Sequence, residues 1–417
     1  MNNRVYVISA QRTAVGKLGG ALKELQPDDL LLPLFHNLKE KNLLPEEMID
    51  EVIIGQAKQS QDQANIARVA LLKADLPESI PGYTVNRQCG SGMQSIHNAF
   101  LAIRAGLGHA YIVGGVESMS SAPYYIRNGR FGFLSGNSEI LDPNKESQPG
   151  SQPVEKYGRL VMGMTAENLA EDYSISREEQ DLFAYESQQK ALYAIENGDF
   201  QNEIVPVTVP QKKGESIIFS TDEHPRKTDL EKLAALKPVF KKEGTVTAGN
   251  SSGLNDGASM LLLVSGEMVD RYQLEPLVEV VGLGVSGVKP DRMGIGPVEA
   301  TNKALSMANI QLEDLDLIEL NEAFAAQSLA VINELDLPMN KVNVNGGAIA
   351  LGHPIGNSGA RISVTLIHSM LKRKAKWGLA TLCMAGGQGI ATVFRAPISP
   401  QKSGFEVPLN PGGINFL

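Results

Sequence analysis

Two cysteines carry the most reactive side chains in this sequence, and glycines follow each of them. Cys89 lies in NRQCGSGMQS, residues 86–95, where a predicted strand meets a predicted helix, and Cys383 lies near the end of another predicted strand, in TLCMAGGQG, residues 381–389. A helix N-terminus favours a thiolate through its dipole and its free N–H groups, so Cys89 is a candidate nucleophile. The alternative for either cysteine is a small buried apolar side chain.

Two further segments contain residues that could assist a nucleophilic thiol. His353 lies among glycines in NGGAIALGHPIGNSGAR, residues 345–361, and could act as the base, because a nearby histidine commonly activates cysteine nucleophiles. A structural or exposed histidine is the alternative. Asn321 and Glu322 follow an apolar strand in ELNEAFAAQ, residues 319–327, and there Asn321 could instead cap a helix.

The elements around these residues alternate between short β-branched runs and longer helical patterns. Predicted strands lie at 5–9, 51–55, 83–88 and 110–115, and predicted helices lie at 30–42, 65–74, from Ser91 onward and at 175–195. This alternation predicts an α/β fold. Ser176 and Glu179 have the spacing of a capping box at the start of the last of these helices.

The second half of the chain repeats the plan of the first, which predicts a duplication. Residues 42–55 resemble 309–320, residues 90–100 resemble 357–367, and the strand ends at 112–115 and 379–387 both run into glycines. We expect an N-terminal half at 1–118 plus about 251–270, an inserted lobe at 119–250, a C-terminal half at 271–396 and an extension at 397–417. Both cysteines are expected at matching strand ends that meet in one cleft, one thiol as covalent carrier and one as proton shuttle.

Composition limits the remaining possibilities. A chain of 417 residues is too long for one ordinary core. A net charge of -9 disfavours a nucleic-acid binder, and two cysteines are too few for a disulfide scaffold or a four-thiolate metal site, so no metal is predicted. The sequence shows no secretory signal and no apolar run long enough to span a bilayer. We therefore expect a cytoplasmic protein that binds neither nucleic acid nor membranes.

Several segments, taken in order, resemble the thiolases, the family of acetyl-CoA acetyltransferases and 3-ketoacyl-CoA thiolases. NRQCGSGMQS, NVNGGAIALGHPIGNSGAR and LATLCMAGGQG are similar to the three signature segments of that family. Further similar segments are RTAVGKLGG (12–20), MGMTAENLA (162–170), GTVTAGNSSGLNDGAS (244–259), MGIGPVEA (293–300) and NEAFAAQ (321–327). The resemblance runs from about residue 4 to 395 and implies duplicated α/β halves in a layered αβαβα core.

The resemblance also implies a role for individual residues. Cys89 would be the acylated nucleophile, His353 its activating base and Cys383 the acid/base for the α-proton of the second thioester. Asn321 would hold a water that stabilises the enolate oxygen with His353. The backbone N–H groups of Cys89 and Ala385 would bind the tetrahedral oxyanion, and ping-pong kinetics are expected.

The ligand expected from the resemblance is an acyl-CoA substrate, acetyl-CoA included, with no permanently bound cofactor. Arg226 and Ser252 would contact coenzyme A, and Met162, Met293 and Phe324 would line the acyl pocket. The alternative for each is an ordinary surface or core residue. The resemblance further implies a homodimer, or a homotetramer, acting in fatty acid metabolism.

Three departures from the family pattern stand out. Val161 replaces a usual histidine, which predicts the loss of a polar neighbour of the pantetheine arm. Ala385 replaces a usual glycine, and alanine resists positive φ. The segment 127–158 does not follow the pattern of the excursion that links dimers into tetramers.

Two alternatives to a thiolase stay open at this point. A β-ketoacyl synthase-type condensing enzyme shares the duplicated fold but lacks the second catalytic cysteine, so Cys383 argues against it. A non-catalytic acyl-CoA binder would be free to lose Cys89, His353, Asn321 and Cys383.

Overall fold

A computed structural model of the protein describes residues 4–397. The strands are β1 (Val5–Arg12), β2 (Gly16–Lys17), β3 (Glu51–Gly55), β4 (Gly82–Val85), β5 (Ala110–Ser118), β6 (Val207–Val209), β7 (Ile217–Phe219), β8 (Asn255–Ser265), β9 (Val278–Gly287), β10 (Leu317–Leu320), β11 (Trp377–Met384) and β12 (Gln388–Arg395). The helices are α1 (Pro27–Lys41), α2 (Ile66–Lys73), α3 (Ser91–Arg104), α4 (Pro143–Glu146), α5 (Val154–Tyr157), α6 (Met162–Asp172), α7 (Arg177–Glu196), α8 (Leu230–Ala234), α9 (Gly266–Tyr272), α10 (Gly296–Ala308), α11 (Ala325–Leu335), α12 (Ala348–Leu351) and α13 (Ile355–Arg373). The predicted strands and helices are all present, with ends that differ by a few residues.

The main sheet consists of two halves with the same strand order. From one edge to the other the order is β4-β3-β5-β8-β1-β9-β12-β11-β10, and β2 pairs with β8. In the first half β3 is parallel to β4 and β5, β8 pairs antiparallel with β5, and β1 pairs antiparallel with β8. In the second half β10 is parallel to β11, and β12 and β9 follow antiparallel. This repetition confirms the predicted duplication, with β3 equivalent to β10, α3 to α13 and β5 to β11.

The helices complete a five-layered structure. Helices α3 and α13 pack on each other and on strands of both halves, so that Met93, Ile96, Leu366 and Leu382 share one buried core. Helices α1 and α2 cover the outer face of the first half, and α10 and α11 cover the outer face of the second. The arrangement is the layered αβαβα core that the resemblance implied. It places the N-termini of α3 and α13 in the middle layer.

The segment between β5 and β8 leaves the sheet and carries α4–α8 and the β6–β7 hairpin. Helix α7 begins with the predicted capping box: the Glu179 N–H donates to Ser176 Oγ at 3.2 Å, and the Ser176 N–H donates to Glu179 Oε2 at 2.7 Å. We propose that residues 119–250 form an inserted lobe between the halves 1–118 with 251–270 and 271–396. Most of the predicted extension, residues 398–417, lies outside the described residues.

Candidate active site

The loop before α3 holds Cys89 in a tight turn. Strand β4 ends at Val85, earlier than predicted, and Gln88 adopts a left-handed conformation with φ 50°. The hydroxyl of Ser91 accepts a hydrogen bond from the Arg87 N–H at 2.9 Å and donates one to the Gln88 carbonyl at 2.6 Å. Because these bonds close the turn, Cys89 lies at the N-terminal end of α3.

Burial determines the protonation of Cys89. It raises the pKa of the Cys89 thiol, although the Ala385 N–H, which donates to the sulfur, and the positive charge of Lys58 act in the opposite direction. The sequence predicted that the helix N-terminus would favour the thiolate, but desolvation outweighs that effect here. Cys89 at rest is therefore a thiol, and it would need a base to act as a nucleophile.

Ala385 fits its position without backbone strain. It directly follows β11, and the residues with positive φ at this turn are Gly386 and Gly387, at 86° and 81°, rather than Ala385. The predicted difficulty with alanine therefore does not arise. The Ala385 N–H donates to the Cys89 sulfur and so lies beside the thiol, where an oxyanion site requires a donor.

His353 is held in an orientation that leaves one ring nitrogen free. Its backbone N–H donates to Asn255 Oδ1 at 2.9 Å, and its Nδ1 lies 2.5 Å from Ser358 Oγ. The hydroxyl of Ser358 donates its only hydrogen to the Pro354 carbonyl at 2.9 Å, so it accepts from Nδ1–H. Nε2 consequently carries the lone pair.

The charge state of His353 suits a base. Burial, with a smaller contribution from the positive charge of Arg361, lowers the pKa of His353 to about 3. The ring is therefore neutral near pH 7. The loop that presents it needs glycine at 352, where φ is 102° and a Cβ would lie 2.5 Å from the Asn255 side chain.

Cys383 lies in β11, with 1% of its surface exposed, next to an apolar cluster that includes Met293 and Phe324. Burial and the nearby Cys89 raise the pKa of its thiol strongly, so it is protonated. The prediction that both cysteines stand at equivalent strand ends is wrong. Cys89 follows β4, whereas β11 is equivalent to β5, because the two halves contribute different strand ends to the same cleft.

Asn321 directly follows β10 and is fully buried. Its backbone N–H donates to the Thr381 carbonyl at 3.0 Å, but its side-chain oxygen and nitrogen have no hydrogen-bond partner among the described residues. It is not a helix cap, since α11 begins at Ala325 with Phe324 at the capping position. Glu322 instead accepts hydrogen bonds from Ser187 Oγ and Asn343 Nδ2, which makes it structural.

One cavity of about 550 Å³ brings the predicted site residues together. Its lining includes Cys89, His353, Cys383, Ala385, Arg226, Ser252, Met162, Met293 and Phe324. Asn321 is buried outside this lining. Phe240 and Phe324 meet edge to face, with ring centroids 6.1 Å apart, and Met162 packs in the same apolar cluster.

Three residues of this site escaped the sequence analysis: Lys58, Gln148 and Ser358. Lys58 and Gln148 line the cavity, and Ser358 holds His353. Gln148 Oε1 accepts the Met162 N–H at 3.0 Å and supplies a polar group beside Val161, which does not line the cavity. The one sequence signal that could have pointed to them was a position just after a parallel strand, as Lys58 has after β3.

Residues 4–397 contain no cluster of three or more His, Cys, Asp or Glu that could hold a metal, and no helix there could cross a membrane.

Comparison with known proteins gives one consistent result. The family models "Thiolase, N-terminal domain" and "Thiolase, C-terminal domain" match residues 5–267 and 274–396. A Staphylococcus aureus (strain COL) protein named "Probable acetyl-CoA acyltransferase" is 51% identical over 392 residues, which cover 94% of this chain and 98% of that protein.

Solved structures agree with the family models. The Bacillus anthracis acetyl-CoA acetyltransferase superposes with a TM-score of 0.91 at 46% identity, covering 94% of this chain and 99% of that one. Human mitochondrial 3-ketoacyl-CoA thiolase in complex with CoA superposes with a TM-score of 0.89 at 43% identity, covering 95% and 98%. The fold, the cavity and these matches lead to one conclusion: the chain belongs to the thiolase family.

Proposed function

We propose that this enzyme transfers acyl groups between coenzyme A thioesters through an acyl-Cys89 intermediate, as an acetyl-CoA C-acyltransferase. The observation that carries the proposal is the meeting of two thiols and a neutral histidine in one cavity. In one direction two acetyl-CoA molecules condense to acetoacetyl-CoA, and in the other a 3-ketoacyl-CoA is split by coenzyme A.

The first half-reaction uses Cys89 and His353. As the Cys89 sulfur attacks the thioester carbonyl, its proton passes to His353 Nε2, the nitrogen that Ser358 leaves unprotonated. The N–H groups of Cys89 and Ala385 stabilise the oxyanion. The carbon–sulfur bond of the thioester then breaks, and coenzyme A leaves with the proton.

The second half-reaction uses Cys383. Cys383 first passes its proton to His353, and its thiolate then removes the α-proton of a second acetyl-CoA. The enolate carbon attacks acetyl-Cys89, the bond between the acetyl carbon and the Cys89 sulfur breaks, and the released Cys89 thiolate takes the proton back from His353. Asn321 is proposed to bind a water at the enolate oxygen, a role supported by its two unpaired and fully buried polar atoms. In thiolysis the same thiol returns the proton, and its raised pKa favours that protonated form.

Coenzyme A is proposed to enter past Arg226 and Ser252 as a substrate, with the acyl group against Met162, Met293 and Phe324. A homodimer is also proposed: β4 ends the sheet, all four of its residues are partly exposed, and an unpaired edge strand can pair with a second chain. Action in fatty acid metabolism, a cytoplasmic location and a homotetramer are extensions of the same proposal.

Incubation with acetoacetyl-CoA and free coenzyme A tests the function. A thiolase consumes the substrate and releases two acetyl-CoA, whereas a β-ketoacyl synthase-type enzyme or a non-catalytic binder does not. Mass spectrometry after mixing with acetyl-CoA should find an acetyl group on the Cys89 peptide. A Cys89→Ser variant that keeps near-normal turnover would contradict the proposed intermediate.

A further inference from the structure

A buried lysine lies beside the nucleophile. Lys58 follows β3, has 7% of its surface exposed and lines the same cavity as Cys89. Glu117 fixes its backbone: one carboxylate oxygen accepts the Lys58 N–H at 3.0 Å, and the other accepts the N–H groups of Ala57 and Gly356. The loop that carries Lys58 is thus tied to the start of α13, next to His353.

The ammonium group of Lys58 has no carboxylate partner within 4.0 Å among the described residues. Among the described residues, Lys58 Nζ donates one hydrogen bond, to Ser147 Oγ, whereas an ammonium group has three N–H donors. The carboxylates of Glu117 and Asp142 act on it only at longer range. A buried charge without a close counterion is costly, so this position favours an anion in the cavity.

The cavity surface near Lys58 is polar. Asn144, Ser147, Gln148 and Ser151 line it, and Asn144 Oδ1 is buried without a hydrogen-bond partner among the described residues. The residues that pack around Cys383 are apolar instead. A plain hydrocarbon chain in this part of the cavity would leave the Lys58 ammonium buried with only one of its three donors used, which costs more than the contact returns.

Lys58 is placed for the acyl chain rather than for coenzyme A. It lines the same cavity as Cys89, and its positive charge acts on the sulfur proposed to carry the acyl group. Arg226, the cation proposed for coenzyme A, lies instead beside His224, and its backbone N–H donates to Gln188. The two cations therefore serve different ends of one substrate.

We propose that the enzyme accepts acyl-CoA substrates whose acyl chain ends in a carboxylate, and that Lys58 together with Ser147 binds that carboxylate. The inference rests on the thiolase activity proposed above. For a six-carbon 3-keto diacid, the C2–C3 bond breaks and a succinyl group stays on Cys89. C2 takes a proton and leaves as acetyl-CoA, and a second coenzyme A takes the succinyl group, so the reaction is redox-neutral.

The test compares thiolysis of 3-oxoadipyl-CoA with that of 3-oxohexanoyl-CoA, which leave succinyl and butyryl groups of equal length on Cys89. The wild type should show a kcat/KM at least about tenfold higher for the carboxylate substrate. Lys58→Met should lower the ratio of the two kcat/KM values about 10–100-fold, as expected for a lost charged hydrogen bond. Ser147→Ala should lower it less. Lys145→Met, an exposed lysine of the same segment, is the matched control and should leave the ratio unchanged.

Each outcome decides the inference. A wild type that prefers the neutral substrate overturns it. A Lys58→Met variant that loses both activities equally also overturns it, because Lys58 would then act only on the thiol. Turnover of acetoacetyl-CoA by the wild type is measured in parallel: its absence defeats the proposed function itself, whereas its presence with an unchanged ratio defeats only the carboxylate proposal.

Discussion

Replacing Cys383 with alanine should separate acyl transfer from carbon–carbon bond chemistry. The contacts that prepare Cys89 and His353 come from the Ala385 N–H, Ser358 and Asn255, and none of them uses the Cys383 side chain. Acetylation of Cys89 should therefore persist. Condensation and thiolysis should fall by about 10²–10⁴, the usual contribution of a positioned acid/base, which equals about 3–5 kcal/mol in activation free energy.

The stability of the Cys383→Ala variant should change little. The side chain is small and 1% exposed, so its loss removes one sulfur from an apolar cluster and should cost about 1 kcal/mol. Circular dichroism and thermal unfolding check this. The decisive assay measures both reactions on the same protein: coenzyme A released in a rapid burst from acetyl-CoA, and steady-state cleavage of acetoacetyl-CoA. Cys383→Ser, which keeps a hydroxyl of similar size, is the control for packing.

Two results would refute this reasoning. Steady-state turnover within tenfold of the wild type would show that Cys383 only packs the strand end. Loss of the burst together with turnover, in a folded protein, would show that the two thiols do not have separable roles.

Two other predictions follow from the geometry of single histidines. Ser358→Ala removes the hydroxyl that accepts from Nδ1–H of His353 and fixes its tautomer. The rate of Cys89 acetylation should therefore fall about tenfold, with KM little changed. An unaltered burst rate would contradict the assigned tautomer. His97, 2% exposed and 2.9 Å from Thr392 Oγ1, has a pKa lowered to about 3 by burial, below the value near 6.5 of an unfolded chain. The contribution of His97 to stability is complete above pH 6.5 and is lost as pH falls toward 3. Between pH 6.5 and 5, the wild type should therefore lose about 2 kcal/mol more unfolding free energy than His97→Gln, measured by urea titration. Equal losses in the two proteins would refute the assignment.

The sequence alone was sufficient for the fold class and for most of the residues that line the candidate site. Hydrophobic periodicity located the strands and helices because it is a local property of the chain. The repeated segments predicted the duplication, and the strand–Cys89–glycine–helix pattern marked the candidate nucleophile. Resemblance to the thiolases then supplied proposed roles for His353, Cys383 and Asn321, whose local patterns were compatible with structural positions as well.

Only the tertiary structure decided the contacts between segments that are distant in the chain. The reach of the Ala385 N–H to Cys89 depends on how the two halves pack around α3 and α13, and no local pattern encodes that distance. Packing also reversed the predicted direction of the Cys89 pKa, because the desolvation of a group depends on everything that surrounds it. The same holds for Lys58, an ordinary lysine in the sequence, which becomes a buried cation in the cavity that Cys89 lines once β3, α13 and the segment between β5 and β8 enclose it.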